Sequence, residues 1–152
     1  MIRSKAIVIG ASLAALVSAP LLASAADDAK ARISNYRELG ASFKTVNDAL
    51  RSPAPQVMLV QIAARQIVNA SKAQFSWFPA GSGPESGVKT KAKPEIWTQA
   101  AKFKAAQTAF ANQALAFQRA AQGGNANAIR AEAKKLGGTC KGCHDSFRTP
   151  GD

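Results

Sequence analysis

Helical periodicity is the feature that most restricts the fold of this 152-residue chain. Four stretches carry apolar residues at spacings of three and four, whereas no run of alternating β-branched residues predicts a sheet. The stretches are separated by clusters of proline and glycine, which break helices. The chain is therefore predicted to be all-α. The first stripe consists of Tyr36, Leu39, Phe43, Val46 and Leu50.

Three further helices are predicted after the prolines that end the first. The second spans 57 to about 78, segment 79–94 is a loop, the third helix starts near Pro94, and Gly123-Gly124-Asn125 separates it from the fourth. Four such helices predict an antiparallel up-down-up-down bundle. The stripe of the second helix includes Val57, Val60, Ala64, Ile67, Ser71 and Phe75, and that of the fourth is Ile129, Ala133, Leu136, Cys140, Cys143 and Phe147.

The N-terminus has the pattern of an export signal. Arg3 and Lys5 precede an apolar run over 6–22, and the small residues Ala23-Ser24-Ala25 form a cleavage site. Residues 1–25 are predicted to be a signal peptide and 26–152 a single periplasmic domain. A retained membrane helix is the weaker interpretation, because the run is interrupted by polar residues and proline, so stable membrane insertion is not expected.

The charge of the chain is strongly basic. It has 20 Lys and Arg against 9 Asp and Glu, and loss of the signal leaves 18 basic residues and a net charge of +9. Nucleic acid, an anionic membrane or an acidic protein would each suit this charge. Because an exported protein rarely meets nucleic acid, the charge is interpreted as solubility together with steering of an acidic redox partner, whose identity the sequence does not indicate.

The residues most able to bind a cofactor lie in Cys140-Lys141-Gly142-Cys143-His144, which is the C-x-x-C-H pattern of covalent c-type haem attachment. Two thiols two residues apart can reach both vinyl groups of one porphyrin, and the adjacent histidine is the iron ligand. These are the only cysteines and the only histidine, too few for a zinc site. The alternative is a disulfide between Cys140 and Cys143 with His144 as a neighbouring polar residue.

The chain resembles class II cytochrome c, the cytochrome c′ family. The resemblance rests on the C-terminal motif continued by Asp145-Ser146-Phe147-Arg148, on Pro94-Glu95-Ile96-Trp97 and on Trp77-Phe78-Pro79. It implies one haem c, held by Cys140 and Cys143 near the C-terminus of the bundle.

The resemblance also implies roles for residues on the first helix. In the family an arginine there lies near the haem propionates, and the residue four positions later covers the iron opposite the histidine. Arg32 and Tyr36 are the preferred match, although Arg37 and Ala41 have the same spacing. The Tyr36 hydroxyl is expected to hold a water or to stabilise a bound ligand.

Other pocket residues are proposed from their positions. Arg148 lies one helical turn after His144, where it can influence the imidazole, or it can simply be a solvated cation at a helix C-terminus. Core packing is an equal alternative for the candidate pocket walls, which are Trp77, Phe78, Trp97, Phe103 and Phe110.

The sixth iron position decides the function. Met58 is the only methionine after signal removal and does not lie on the first helix, which disfavours a Met/His electron carrier. The predicted protein is a five-coordinate haem protein that transfers electrons and binds NO or CO. No enzymatic role is expected, because no second histidine supplies a distal base. The alternative is a gas-binding or NO-detoxifying protein, and the resemblance implies a homodimer through the first two helices.

Overall fold

Helices account for most of the chain in the computed structural model, which describes residues 24–150. Within that range there are five α-helices, two 3₁₀ turns at Gln74–Ser76 and Pro84–Ser86, and no strand. The predicted all-α class is confirmed. In chain order the α-helices are α1 (Ala25–Arg51), α2 (Val57–Ala73), α3 (Glu95–Thr98), α4 (Ala100–Gly123) and α5 (Ala126–Phe147).

The four long helices pack as antiparallel neighbours. Tyr36, early in α1, bonds to Gln74 just after α2, and Ser42 farther along α1 bonds to Gln66 farther back in α2. Helix α2 also packs on α4, α4 packs on α5, and α1 contacts α5. The predicted up-down-up-down four-helix bundle is confirmed. The same reversed order relates α2 to α4, in the pairs Gln74–Gln107 and Gln61–Ala121.

The predicted break between the last two helices lies at the expected glycines. Gly124 has φ +72°, a left-handed conformation that glycine adopts without strain, and it ends α4. The Asn125 side chain then accepts hydrogen bonds from the backbone N–H groups of Asn127 and Ala128, both at 3.0 Å. It therefore caps the N-terminus of α5.

The third predicted helix is interrupted at Gln99, so the expectation of one continuous helix from near Pro94 is wrong. Gln99 has φ −118° and ψ 45°, which separates α3 from α4. The cause is tertiary, because the preceding residues are held by Lys93 N–H donating to the Phe147 carbonyl at 3.0 Å. The chain enters α3 in the direction that this pairing sets, and bends at Gln99 to join α4.

The second helix is shorter than predicted, and Phe75 is not on its buried face. Helix α2 ends at Ala73, and Phe75 is 45% exposed. The chain tightens there into a 3₁₀ turn of three residues per turn, which shifts the register of the following side chains. Gln74 is buried in place of Phe75, with 3% exposure.

Two clusters of buried residues form the interior. The main core fills the bundle between α1, α2, α4 and α5, and includes Val46, Ile67, Phe117 and Leu136. A smaller cluster of Ile96, Phe103 and Phe147 lies where α3 and α4 meet the end of α5. Phe78, Ala92, Trp97, Ala106 and Cys143 pack against this end cluster.

The predicted export signal lies almost entirely outside the residues that the structure describes. Of residues 1–25, the first 23 lie outside the described range. None of the helices within 24–150 has both the length and the apolar character needed to span a membrane.

Candidate functional site

The two cysteines lie on the bundle-facing side of the last turns of α5. Cys140 packs against the main core and Cys143 against the end cluster, and both are free, partly buried thiols. Burial raises the pKa of both, that of Cys143 to about 11 with a further contribution from Cys140. Two neutral thiols one helical turn apart are thus presented to the same part of the interior.

His144 follows directly on the more exposed side of α5. Partial desolvation of its ring lowers the pKa of the imidazole, the Arg148 cation lowers it further, and Asp145 opposes the change. The ring is therefore neutral near pH 7, the form in which histidine binds metals.

Aromatic rings extend from α1 to the end of α5 beside the thiols. The Phe103 ring lies edge to face with those of Phe78 and Phe147, with centroids 4.7 and 5.1 Å apart. Tyr36 meets Trp77 edge to face at 4.9 Å and Phe78 at 6.0 Å. These rings form an apolar surface next to Cys143.

Arg32 is a buried cation in this surface, with 3% exposure. Its guanidinium carbon lies 4.9 Å from the centroid of the Phe78 ring and 5.7 Å from that of Trp97, both within the range of a cation–π contact. Burial lowers its pKa, and Tyr36, Asp28 and Glu85 only partly oppose that change. Among the ion pairs of residues 24–150 none involves Arg32, so no carboxylate neutralises it at close range.

Ser82 fixes the position of Arg32 and was not predicted from the sequence. Arg32 Nη1 donates to Ser82 Oγ at 2.8 Å, and Nη2 donates to the Ser82 carbonyl at 2.7 Å. Ser82 is fully buried although it lies in a Gly-Ser-Gly-Pro loop. A Cβ on Gly83 would lie 2.9 Å from the Trp97 ring, so the flanking glycine was the available sign of a close approach.

Tyr36 lies beside Arg32 and is partly buried. Desolvation raises its pKa well above the usual 10, the two cysteines add to the rise, and Arg32 partly opposes it. The hydroxyl donates to Gln74 Oε1 at 3.4 Å. Tyr36 is thus a neutral phenol close to both thiols.

The segment before α3 is fastened to the end of α5. Ala92 and Arg148 form an antiparallel bridge, with Lys93 N–H donating to the Phe147 carbonyl and Thr149 N–H to the Lys91 carbonyl. The Lys93 ammonium also donates to the Asp145 carbonyl at 3.3 Å. Basic side chains are consequently held beside His144.

Comparison with known proteins decides the family. The sequence profile described as Cytochrome C' matches residues 27–148, which is most of the chain. The chain belongs to the cytochrome c′ family.

Two relatives in this family match over nearly their whole length. A cytochrome c′ from Alcaligenes xylosoxydans xylosoxydans is 33% identical over 122 residues, covering 80% of this chain and 93% of the relative. Another, from Cereibacter sphaeroides, is 30% identical over 138 residues, covering 90% and 92%.

Solved structures of the family share the fold. Cytochrome c′ from Rubrivivax gelatinosus superposes with a TM-score of 0.76 at 30% identity, over 84% of this chain and 98% of that one. A nitric oxide complex of a variant cytochrome c prime from Alcaligenes xylosoxidans superposes with a TM-score of 0.75 at 27% identity, with the same coverages.

The donor set fits the haem that cytochromes of this family imply. Cys140 and Cys143 provide two thiols on one face, and His144 provides a neutral imidazole beside them. Arg32 provides a buried cation without a carboxylate partner, which suits a propionate. The aromatic surface provides apolar contacts for a macrocycle.

The structure brings together most of the residues proposed for the site. Trp77, Phe78 and Trp97 all contact Arg32 or Tyr36. Phe103 belongs to the end cluster, against which Cys143 packs, and Phe110 to the main core, against which Cys140 packs. Of the alternative pair, Arg37 and Ala41 are both exposed, so the placement favours Arg32 and Tyr36.

Proposed function

We propose that this member of the cytochrome c′ family is a periplasmic electron-transfer protein that carries one covalent haem c and binds small gases at an open iron position. The observation that carries the proposal is that two groups of residues adjoin the same aromatic surface. One is Cys140, Cys143 and His144 on α5, and the other is Arg32 on α1, a buried cation that has no carboxylate partner among the described residues. When bound, the haem supplies an iron that changes oxidation state and accepts a diatomic ligand.

In this proposal each residue has a separate task. The Cys140 and Cys143 sulfurs form thioethers, and the neutral His144 imidazole donates a nitrogen to the iron. Arg32 offsets carboxylate charge inside the bundle, while Trp77, Phe78 and Trp97 exclude water. Arg148 lowers the pKa of the His144 imidazole and so favours its neutral, ligating form.

The position of Met58 and the protonation state of Tyr36 both support an iron whose sixth coordination position holds no protein ligand. Met58 is 74% exposed at the start of α2, at the opposite end of that helix from Gln74 and Tyr36. Tyr36 has a raised pKa and stays a neutral phenol, which disfavours phenolate ligation.

Gas binding without electron transfer is the second candidate function. A solved relative is described as a nitric oxide complex. Measured tight NO binding combined with very slow outer-sphere electron exchange would favour this candidate. For either role we propose binding chemistry, not enzymatic turnover, because the only histidine is assigned to the iron.

Exposed apolar residues on α2 support a homodimer. Met58, Leu59 and Ile62 are 74%, 42% and 41% exposed. A second copy pairing through α1 and α2 would cover them. Analytical ultracentrifugation of wild type and Ile62→Glu tests this, with a dimer expected only in wild type.

Spectroscopy and mass spectrometry test the main proposal. Purified holoprotein should have the mass of one haem added to the chain cleaved after Ala25. The ferrous spectrum should show a broad Soret band that sharpens on addition of CO. Cys140→Ala and Cys143→Ala should each leave at most one thioether, and His144→Ala should change the iron spectrum. A haem-free chain with a disulfide would overturn the proposal.

A further inference from the structure

A hydrogen-bonded chain of one phenol and two buried amides connects α1 to α4 next to the site. Tyr36 donates its hydroxyl hydrogen to Gln74 Oε1 at 3.4 Å. Gln74 Nε2 in turn donates to the carbonyls of Ser71 and Gln107, both at 3.2 Å, and Gln107 Nε2 returns a bond to the Gln74 carbonyl at 3.1 Å. Gln74 and Gln107 are only 3% and 6% exposed.

The orientation of the Gln74 amide follows from these bonds. Both of its carbonyl partners require a donor, so its NH₂ group faces Ser71 and Gln107, and its Oε1 faces Tyr36. A buried amide oxygen needs a donor. Tyr36 Oη lies 3.4 Å from that oxygen, which directs the single hydrogen of the phenol toward Gln74.

We propose that Gln74 is a positioning residue that holds the Tyr36 hydroxyl away from a diatomic ligand and restrains the ring that the ligand must pass. The inference rests on the proposed function, with Tyr36 covering the face of the iron opposite His144 as the family resemblance implies. With its hydrogen donated to Gln74, the hydroxyl has none to give to a bound gas. An entering gas therefore meets an aromatic ring fixed by Gln74, without a polar donor.

The restraint acts through two helices at once. Gln74 lies in the 3₁₀ turn after α2 and is bonded to α4 through Gln107. Tyr36 is also held by edge-to-face contact with Trp77 at 4.9 Å. Loss of the Gln74 acceptor leaves the Trp77 contact in place but frees the hydroxyl to rotate toward the thiol side, where Cys143 lies.

Infrared spectroscopy of the ferrous CO holoprotein tests where the phenol hydrogen points. A donor near the CO oxygen lowers the C–O stretching frequency, because it favours electron donation from iron into CO. Wild type and Tyr36→Phe should have the same frequency, whereas Gln74→Leu should lower it. The double variant Gln74→Leu/Tyr36→Phe should return to the Tyr36→Phe value, since the effect of Gln74 passes through the hydroxyl.

Ligand kinetics give a second readout. Release of the Tyr36–Gln74 hydrogen bond should increase the population of the displaced ring, and hence CO association, by up to about fivefold in Gln74→Leu. Gln61→Leu is the matched control, because Gln61 lies on α2 and, like Gln74, donates to an α4 carbonyl, that of Ala121 at 3.1 Å. It should leave both CO readouts unchanged.

The results separate this inference from the proposed function. A wild-type protein without haem or CO binding contradicts the function. A Gln74→Leu variant with wild-type frequency and CO kinetics contradicts the inference alone, as does a shift that persists in the double variant.

Gln74→Met, which keeps side-chain length, replaces Gln74→Leu if the latter fails to fold. The ¹³C shift of the single tyrosine, which should move in either Gln74 variant and stay unchanged in Gln61→Leu, provides a readout independent of gas binding.

Discussion

Arg32 and Ser82 are joined by two hydrogen bonds, from Nη1 to the serine Oγ at 2.8 Å and from Nη2 to the serine carbonyl at 2.7 Å. The contact links α1 to the loop between α2 and α3, across 50 residues of sequence. It holds a cation in the interior without using a carboxylate. The two bonds to Ser82 use only part of the five N–H donors of the guanidinium, so others can bond to an anionic group of a ligand.

Replacement of Arg32 should lower the reduction potential of the holoprotein. A buried cation stabilises the reduced iron, which carries one positive charge fewer, so Arg32→Met favours the oxidised state. Redox titration followed in the visible spectrum measures the change. Arg37→Met, an exposed site on the same helix, is the control and should leave the potential close to that of wild type. Equal potentials for all three proteins would place Arg32 outside the haem environment.

Gly83→Ala should destabilise the fold. The new Cβ would lie 2.9 Å from the Trp97 ring, and it would also press on the Glu85 side chain. We expect a loss of about 1–3 kcal/mol in the free energy of unfolding, measured by denaturant titration. Gly40→Ala is the control, since nothing lies within 4 Å of its Cβ position in α1. It should stabilise the protein by about 0.5–1 kcal/mol, because alanine favours a helix interior. A Gly83→Ala protein as stable as wild type would refute the close packing.

Lys91→Glu should slow oxidation of the ferrous protein by ferricyanide. Lys91 is held beside Arg148 by the backbone bridge at the end of α5, so its charge lies near the proposed haem. At low ionic strength we expect the rate to fall about twofold to fivefold, and the difference should shrink in high salt. Arg65→Glu, with the same change in charge on the exposed side of α2, should have a smaller effect. Equal slowing by both variants would indicate only a general effect of net charge.

The sequence predicted the parts of the molecule that depend on local periodicity and breakers. Apolar residues at spacings of three and four located the long helices. Gly124 ends α4 and Asn125 caps the start of α5, as the predicted break required. The interruption at Gln99 was missed because its cause is the pairing of Lys93 with Phe147, distant in sequence. No local pattern reports such a contact.

The candidate site was predictable only where its residues form a motif. Cys140, Cys143 and His144 are adjacent in sequence, whereas Ser82, Gln74 and Gln107 gain their positions from tertiary packing. Gln74 lies at the end of the predicted second helix and Ser82 in the predicted loop, and a polar side chain in either segment is normally expected to be exposed. Their burial depends on partners that lie 33 and 50 residues away.

The pH dependence of Tyr36 provides the last prediction. Its pKa is raised above 10 in the folded chain, mainly because burial disfavours the phenolate. The folded state therefore holds the phenol proton more tightly than the unfolded state. The resulting stabilisation is fully present below pH about 10 and is lost as the pH rises from there toward the folded pKa. Tyr36→Phe should lack this part of the alkaline loss of stability.

Two measurements check this prediction. Because Tyr36 is the only tyrosine, a single ¹³C resonance in tyrosine-labelled ferrous CO protein follows its ionisation without overlap. We expect that resonance to show no phenolate near pH 10, where an exposed phenol is half ionised. Denaturant titrations of wild type and Tyr36→Phe between pH 7 and pH 11 should diverge only above about pH 10. Half ionisation of Tyr36 at pH 10 with parallel stability curves would contradict its burial, because a solvated phenol has the same proton affinity in the folded and unfolded chain.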